Sequence, residues 1–192
     1  TALRVHHVPA VGLSGVDADL VTVRRRPPVE ITDDDGSTGT VDFGWVGDVV
    51  EVDPAVLVTL LDGRFIPVVA CLAADEDGEV YNVNADTIAE RIAIAMGAMK
   101  LIVLTGVPGV LRDPADPSSL VSFADAAELS ELLAGGTIAG GMRPKVEACI
   151  RAALGGVERT HIVDGRVPDA ILQEVFTGAG CGTMIVGRRE KA

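Results

Sequence analysis

Aromatic side chains are scarce in this chain: one Trp, one Tyr and four Phe make up 3% of 192 residues, although 48% are apolar. A core without rings must be filled by Val, Leu, Ile and Ala, the usual filling of a parallel sheet covered by helices. Cysteine is scarce too. Cys71, Cys149 and Cys181 are odd in number, widely spaced and without a CxxC pair, so neither a disulfide framework nor a zinc site is indicated. A reducing cytosol fits that usage, and the expected location is cytoplasmic. Cys71 ends an apolar run and Cys149 falls on the apolar side of a helix, so both read as small core residues.

Positive charge is in deficit, 16 basic against 28 acidic residues and a net charge of −12, which argues against a nucleic-acid partner. The one basic run, Arg24-Arg25-Arg26, reads as a solvated strand or hairpin. No apolar run reaches membrane-spanning length and no signal-peptide pattern opens the chain, so no membrane partner is expected. His6, His7 and His161 lack metal-ligand spacing, and no Ser-His-Asp or Cys-His arrangement is evident. No protein-held metal is expected. His6 and His7 read as solvated, His161 as a satisfied core histidine.

The length suits one domain with a sizeable core. Between residues 10 and 50, short β-branched runs at 10–13, 20–23, 29–31 and 41–45 alternate with turn signals such as Thr32-Asp33-Asp34-Asp35-Gly36, a hairpin pattern. From Asp53 to the end the rhythm becomes strand and helix in alternation, which predicts βαβ units and an α/β fold with a mainly parallel sheet sandwiched by helices. Helices are expected over 54–62 with Asp53 as cap, 86–99, 124–133, 144–154 and 168–176. Strands are expected over 66–71, 80–83, 100–105, 161–163 and 183–186. Ile88, Ile92, Ala95 and Met96 should face the core, as should Val146, Ile150, Ala153 and Leu154.

Two stretches carry chemistry. In YNVNAD, strand alternation turns Asn82 and Asn84 to one side, and each amide both donates and accepts hydrogen bonds, as an acyl amide or carboxylate requires. Asn84 serves equally well as the cap of the following helix. Asp86 lies in that helix's first turn, where the dipole favours a carboxylate. In GGMRPK, Gly140 and Gly141 precede a helix carrying Lys145, a turn whose amides can approach a phosphate closely. The Walker spacing is absent, and a glycine pair before a helix is common.

In order along the chain, AVGLSGVDADLV, GWVGDV, IPVVA, YNVNAD, LTGVPGVL, GGMRPKVEA, GGVERTHIVDGRVP and EVFTGAGCGTMIV resemble the acetylglutamate kinases of the amino acid kinase family. The resemblance implies ATP-dependent phosphorylation of the side-chain carboxylate of N-acetylglutamate, a step of arginine biosynthesis. Asn82 and Asn84 would contact the acid, Asp86 would organise catalytic lysines, and Lys145 would steady the phosphoryl group. Thr105, Gly106, Val107, Gly109, Gly140, Gly141 and Met142 would hold the nucleotide, with magnesium riding on its phosphates. Gly106 stands where the family usually has Asp. His161, Glu174 and Gly180 match positions that bind feedback arginine, although Glu174 could instead lie on a solvated helix face.

Dimers or ring-like hexamers are implied. The chain opens at Thr1 without Met. The family's first catalytic lysine, glycine-rich turns and substrate arginine would lie upstream, so the chain is expected to be the C-terminal two-thirds of such an enzyme. A related kinase of an aminoadipate derivative and a non-catalytic arginine-sensing remnant are the alternatives, and the paired Asn of NVNAD favours acetylglutamate.

Overall fold

The computed structural model describes residues 2–32, 36–178 and 180–189, in two units that divide between Ile88 and Ala89. Thr1 and the acidic hairpin tip Asp33, Asp34 and Asp35 lie outside the described residues.

The first unit opens with a short helix α1 (Ala2–Val5), which the sequence reading did not anticipate, and β1 (Ala10–Ser14). Strands β2 (Val21–Arg25), β3 (Val29–Thr32), β4 (Thr38–Val41) and β5 (Gly47–Val52) follow, then helix α2 (Ala55–Asp62) and strands β6 (Ile66–Ala70), β7 (Leu72–Ala74) and β8 (Val80–Asn82). β1 pairs in parallel with β6, β3 and β4 form a separate antiparallel hairpin, and a four-stranded sheet runs β5-β2-β7-β8. Alternation decides its faces: Val21 and Val23 are buried while Thr22 between them is not, and Tyr81 is buried while Asn82 is exposed.

The strand expected over 41–45 is displaced. The Asp42 carboxylate accepts the Gly44 N–H at 2.8 Å and Gly44 takes φ +68°, a turn that ends β4 at Val41 and delays the next strand to Gly47. α2 starts at Ala55 after Pro54, and Asp53 contributes as anticipated in chemistry if not in position, accepting the Ala55 N–H at 2.9 Å. Arg25 and Arg26, from the basic run, pair with Asp42 and Asp48.

Helix α3 (Ala85–Ala95) leads into the second unit, which holds β9 (Lys100–Thr105), β10 (Phe123–Asp125), α4 (Ala126–Ala134), α5 (Met142–Leu154), β11 (Arg159–Asp164), α6 (Ala170–Phe176) and β12 (Thr183–Val186). Its sheet runs β10-β12-β11-β9, with β11–β9 and β10–β12 parallel and β11–β12 antiparallel. The core is aliphatic as the composition requires. Val103, Ile162 and Ile185 from the sheet meet Leu129 of α4 and Val146 and Cys149 of α5. Fully burying each such side chain contributes about 1.5–3 kcal/mol.

α3 stops at Ala95 rather than Met99 because Gly97 at φ +58° lets the Ala98 N–H reach the Ala93 carbonyl at 2.9 Å, closing the helix. Ala95 is consequently exposed and Ala93 buried instead. Leu154, expected inside, is 62% exposed at the last position of α5, just before Gly155 ends the helix. α4 begins at Ala126, with Asp125 as its cap accepting the Glu128 N–H at 2.9 Å, and residues 123–125 are strand. α6 begins at Ala170, because Asp169 adopts φ +58° and cannot continue a helix toward Pro168.

Candidate functional site

In the first unit β8 ends at Asn82, and Asn82 and Asn84 are both exposed while Tyr81 and Val83 are buried. The two amides therefore emerge on the side away from the core. Asn84 does cap the helix: its Oδ1 accepts the Thr87 N–H at 3.1 Å. Its carboxamide orientation is thereby set, with the oxygen turned to the helix and the NH2 group turned away from it. Asp86 is half-buried in the first turn of α3.

In the second unit three of the residues assigned to the nucleotide line one cavity. Val107, Gly109 and Met142, with Val110, Leu111 and Ile138, border a space of about 250 Å³. Its wall is aliphatic, suited to the flat faces of a base rather than to charge. Thr105, Gly106, Gly140 and Gly141 do not line it: Thr105 ends β9, Gly106 follows it, and Gly140 and Gly141 form the turn before α5. Thr105 Oγ1 donates to the Val107 carbonyl at 2.7 Å and accepts the Val107 N–H at 3.1 Å, which fixes the turn after β9. Gly109 is required for packing: a Cβ there would lie 2.5 Å from Thr183 Oγ1.

Gly140 takes φ +55°, and a Cβ on Gly106, Gly140 or Gly141 would meet nothing within 4 Å. Open space at all three leaves room for phosphate oxygens beside backbone amides. α5 begins at Met142, two residues earlier than expected, so Lys145 sits half-buried at the end of the first turn. Arg143 is held by Glu147 at 2.9 Å. Among the described residues no group of three or more His, Cys, Asp or Glu is placed to hold a metal ion, and no helix is long and apolar enough to cross a membrane.

The third group, His161, Glu174 and Gly180, is brought together. Glu174 is buried rather than solvated. Its Oε1 meets His161 Nδ1 at 2.8 Å, and its Oε2 accepts the N–H groups of Cys181 at 2.7 Å and Gly182 at 2.9 Å. Burial pushes the carboxyl pKa up, but the hydrogen bonds from His161, Cys181 and Gly182 outweigh it and hold the group below its ordinary value. His161 Nε2 is buried with no hydrogen-bond partner among the described residues, so the histidine is only half satisfied. A cavity of about 140 Å³ lies beside this cluster, bordered by Glu174, Gly180, Ser122 and Phe123.

Sequence reasoning missed Asp164 and Arg166. Asp164 ends β11 in register with Thr105, and its carboxylate takes a two-point grip from Arg166 at 2.9 and 2.8 Å. Those hydrogen bonds, and one from the Arg166 N–H, lower its pKa to about 2. The position of Asp164 at a strand end, level with the turn after β9, was the available signal.

The sequence profile described as the amino acid kinase family matches residues 1–164. The chain belongs to the amino acid kinase family. Within it, the chain is 49% identical over 191 residues to the acetylglutamate kinase of Myxococcus xanthus, covering 99% of this chain and 61% of that protein. It is 52% identical to the acetylglutamate kinase of Saccharopolyspora erythraea, covering 94% and 57%. The chain thus spans about three-fifths of the length of these relatives. Among solved structures, N-acetylglutamate synthase of Neisseria gonorrhoeae in complex with coenzyme A and N-acetyl-glutamate superposes with a TM-score of 0.79 at 28% identity, over 98% of this chain and 40% of that one. This family's α/β architecture, parallel strands flanked by helices, is the one built here.

Proposed function

We propose that the chain is part of an enzyme that transfers the γ-phosphoryl group of ATP to the side-chain carboxylate of N-acetylglutamate. The observation that carries this reading is the convergence of Val107, Gly109 and Met142 on one aliphatic cavity, in a chain about half identical to acetylglutamate kinases. In this reading Asn82 and Asn84 hold the acid, and the glycine turns at 106 and 140–141 receive the phosphates. A carboxylate is already nucleophilic and needs no general base. Catalysis then rests on positioning and charge neutralisation, by the Lys145 ammonium and glycine amides, with Asp86 orienting lysine ammonium groups through charge-assisted hydrogen bonds. Magnesium would enter on the nucleotide phosphates and neutralise charge there.

The same reading makes arginine an inhibitor at His161, Glu174 and Gly180, where a buried carboxylate borders a small cavity. The synthase of Neisseria gonorrhoeae, also solved with coenzyme A and L-arginine, matches this chain at 27% identity and a TM-score of 0.75. It also includes a cytoplasmic location and self-association as dimers or hexamers, to be sized by light scattering.

The test is phosphoryl transfer from ATP to N-acetylglutamate by the full-length protein. Lys145→Ala should lower kcat by at least about a hundredfold, the scale of one lost charge-stabilising group. Unchanged turnover would remove Lys145 from the reaction, and absence of turnover in the unaltered protein would remove the reading itself.

A further inference from the structure

Thr105 and Asp164 stand side by side at one end of the second unit's sheet. They are partners in the parallel register of β9 and β11, and the Gly165 N–H donates to the Thr105 carbonyl at 2.9 Å, which ties the loop after β11 to the turn after β9. Alternation fixes their face. Val103 and Ile162, two residues back along each strand, pack with Val146 and Cys149 of α5, so Thr105 and Asp164 project on the α5 side. α5 packs on β11 and is joined to it by residues 155–158, so it runs back along the strand. Its first turn, with Gly140 and Gly141 just before it, therefore lies at the same end of the sheet as Asp164.

Arg166 is bound to that carboxylate in a fixed geometry. Its Nε donates to Asp164 Oδ1 at 2.9 Å and its Nη2 to Oδ2 at 2.8 Å, while the Arg166 backbone N–H also donates to Oδ1 at 2.9 Å. The two side chains are unequally exposed, 10% for Asp164 and 70% for Arg166. Asp164 takes the side edge of the guanidinium and leaves its end edge, Nη1 with the second hydrogen of Nη2, open to an anion. That edge sits on a side chain whose freedom is already reduced, which lowers the entropy cost of a further contact. A lysine would satisfy the carboxylate as a point charge but would offer no such ordered fork. We propose that Arg166, oriented by Asp164, binds the phosphate groups of the nucleotide beside the amides of Gly106, Gly140 and Gly141. End-on contact between the fork and two phosphate oxygens is the bidentate geometry to which arginine is suited. The inference rests on the reading of those glycine turns as phosphate-receiving and adds to it a cation that holds the phosphates. Asp164 is then a positioning residue that acts through Arg166.

The experiment measures magnesium-ADP binding by calorimetry, and the KM values for ATP and N-acetylglutamate, in the full-length protein. Arg166→Ala should weaken ADP binding and raise the KM for ATP by about tenfold or more, the scale of a lost charge-assisted hydrogen bond. The KM for N-acetylglutamate should stay within about twofold of the wild type. Arg166→Lys, which keeps the charge without the fork, should recover part of the loss. Asp164→Asn, which keeps an acceptor but loosens the grip, should raise the KM for ATP less and with the same selectivity. In the Asp164→Asn background, Arg166→Ala should still weaken ADP binding, because the guanidinium itself makes the contact. If thermal unfolding shows that Arg166→Ala disturbs the fold, Arg166→Gln, which can donate to Asp164 but carries no charge, has the same expectation. In the folded variant, ADP affinity within about twofold of the wild type, or an equal rise in both KM values, would overturn the assignment of Arg166 alone. A wild-type protein that binds no ADP would overturn the nucleotide reading beneath it.

Discussion

Glu174 and Gly180 are fitted to each other: a Cβ on Gly180 would stand 2.7 Å from the Glu174 Oε2 that holds the Cys181 and Gly182 amides. Gly180 also has φ +62°, a conformation that costs an L residue about 1–2 kcal/mol. Gly180→Ala should therefore destabilise the protein by more than that backbone cost, because the carboxylate must also move off its donors. Urea unfolding measures it, and a loss below about 0.5 kcal/mol would contradict the fit.

Removing the carboxylate instead strands three buried or half-buried donors, the His161 ring and two amides, each worth about 1–3 kcal/mol when left unpaired. Glu174→Ala should cost roughly 3 kcal/mol or more near neutral pH. Because the folded pKa is below the ordinary 4.5, the stabilisation is present above that value and disappears as the pH falls through the lower folded one. The gap between the wild type and Glu174→Gln should accordingly be flat from pH 7 to about 5 and narrow in more acid solution. A gap that widens on acidification has the wrong sign for this network.

Asp164 offers a sharper titration. Its carboxyl, held by the Arg166 side chain and N–H, ionises at about 2 rather than the ordinary 3.8. Arg166→Ala keeps the backbone hydrogen bond and removes the guanidinium, so the midpoint followed by carboxyl carbon NMR should rise toward the ordinary value without fully reaching it. The stability that this pair contributes is complete above about 3.8 and is lost as the pH falls through 2, so the two proteins should converge in stability near the lower limit.

What the sequence made legible follows from periodicity. Asn82 and Asn84 could be placed on one side because two-residue alternation is geometric, and Tyr81 and Val83 are buried where that rule puts them. The missed strands have two separate causes. β7 and β10 are three residues long, too short to display a period, and β5 carries Asp48 and Glu51 among its valines, so it reads as polar. Glu174 shows the other limit: a carboxylate in a helix looks solvated until the loop that supplies its amide donors has folded back over it. The cavity residues beyond the glycine turns, Leu111 and Ile138, belong to segments with no periodic signature and come together only through tertiary packing.

α3 and α5 are joined within the second unit by Glu90, only 3% exposed, and Arg151, whose Nε lies 2.7 Å from the Glu90 Oε2. The two charges are unequally solvated, since the Arg151 side chain is 49% exposed and that of Glu90 is 4%. Removing the exposed partner should therefore be the more damaging change, because it leaves a buried carboxylate without its cation. Arg151→Ala should cost about 3 kcal/mol, the scale of a broken buried pair. Glu90→Leu, which removes the buried charge and leaves Arg151 free to turn into water, should cost less. In a double-mutant cycle, Glu90→Leu combined with Arg151→Ala should be no less stable than Arg151→Ala alone, since the charge whose isolation made that change costly is gone. Simple additivity of the two losses would mean that the ion pair contributes nothing to holding the helices together.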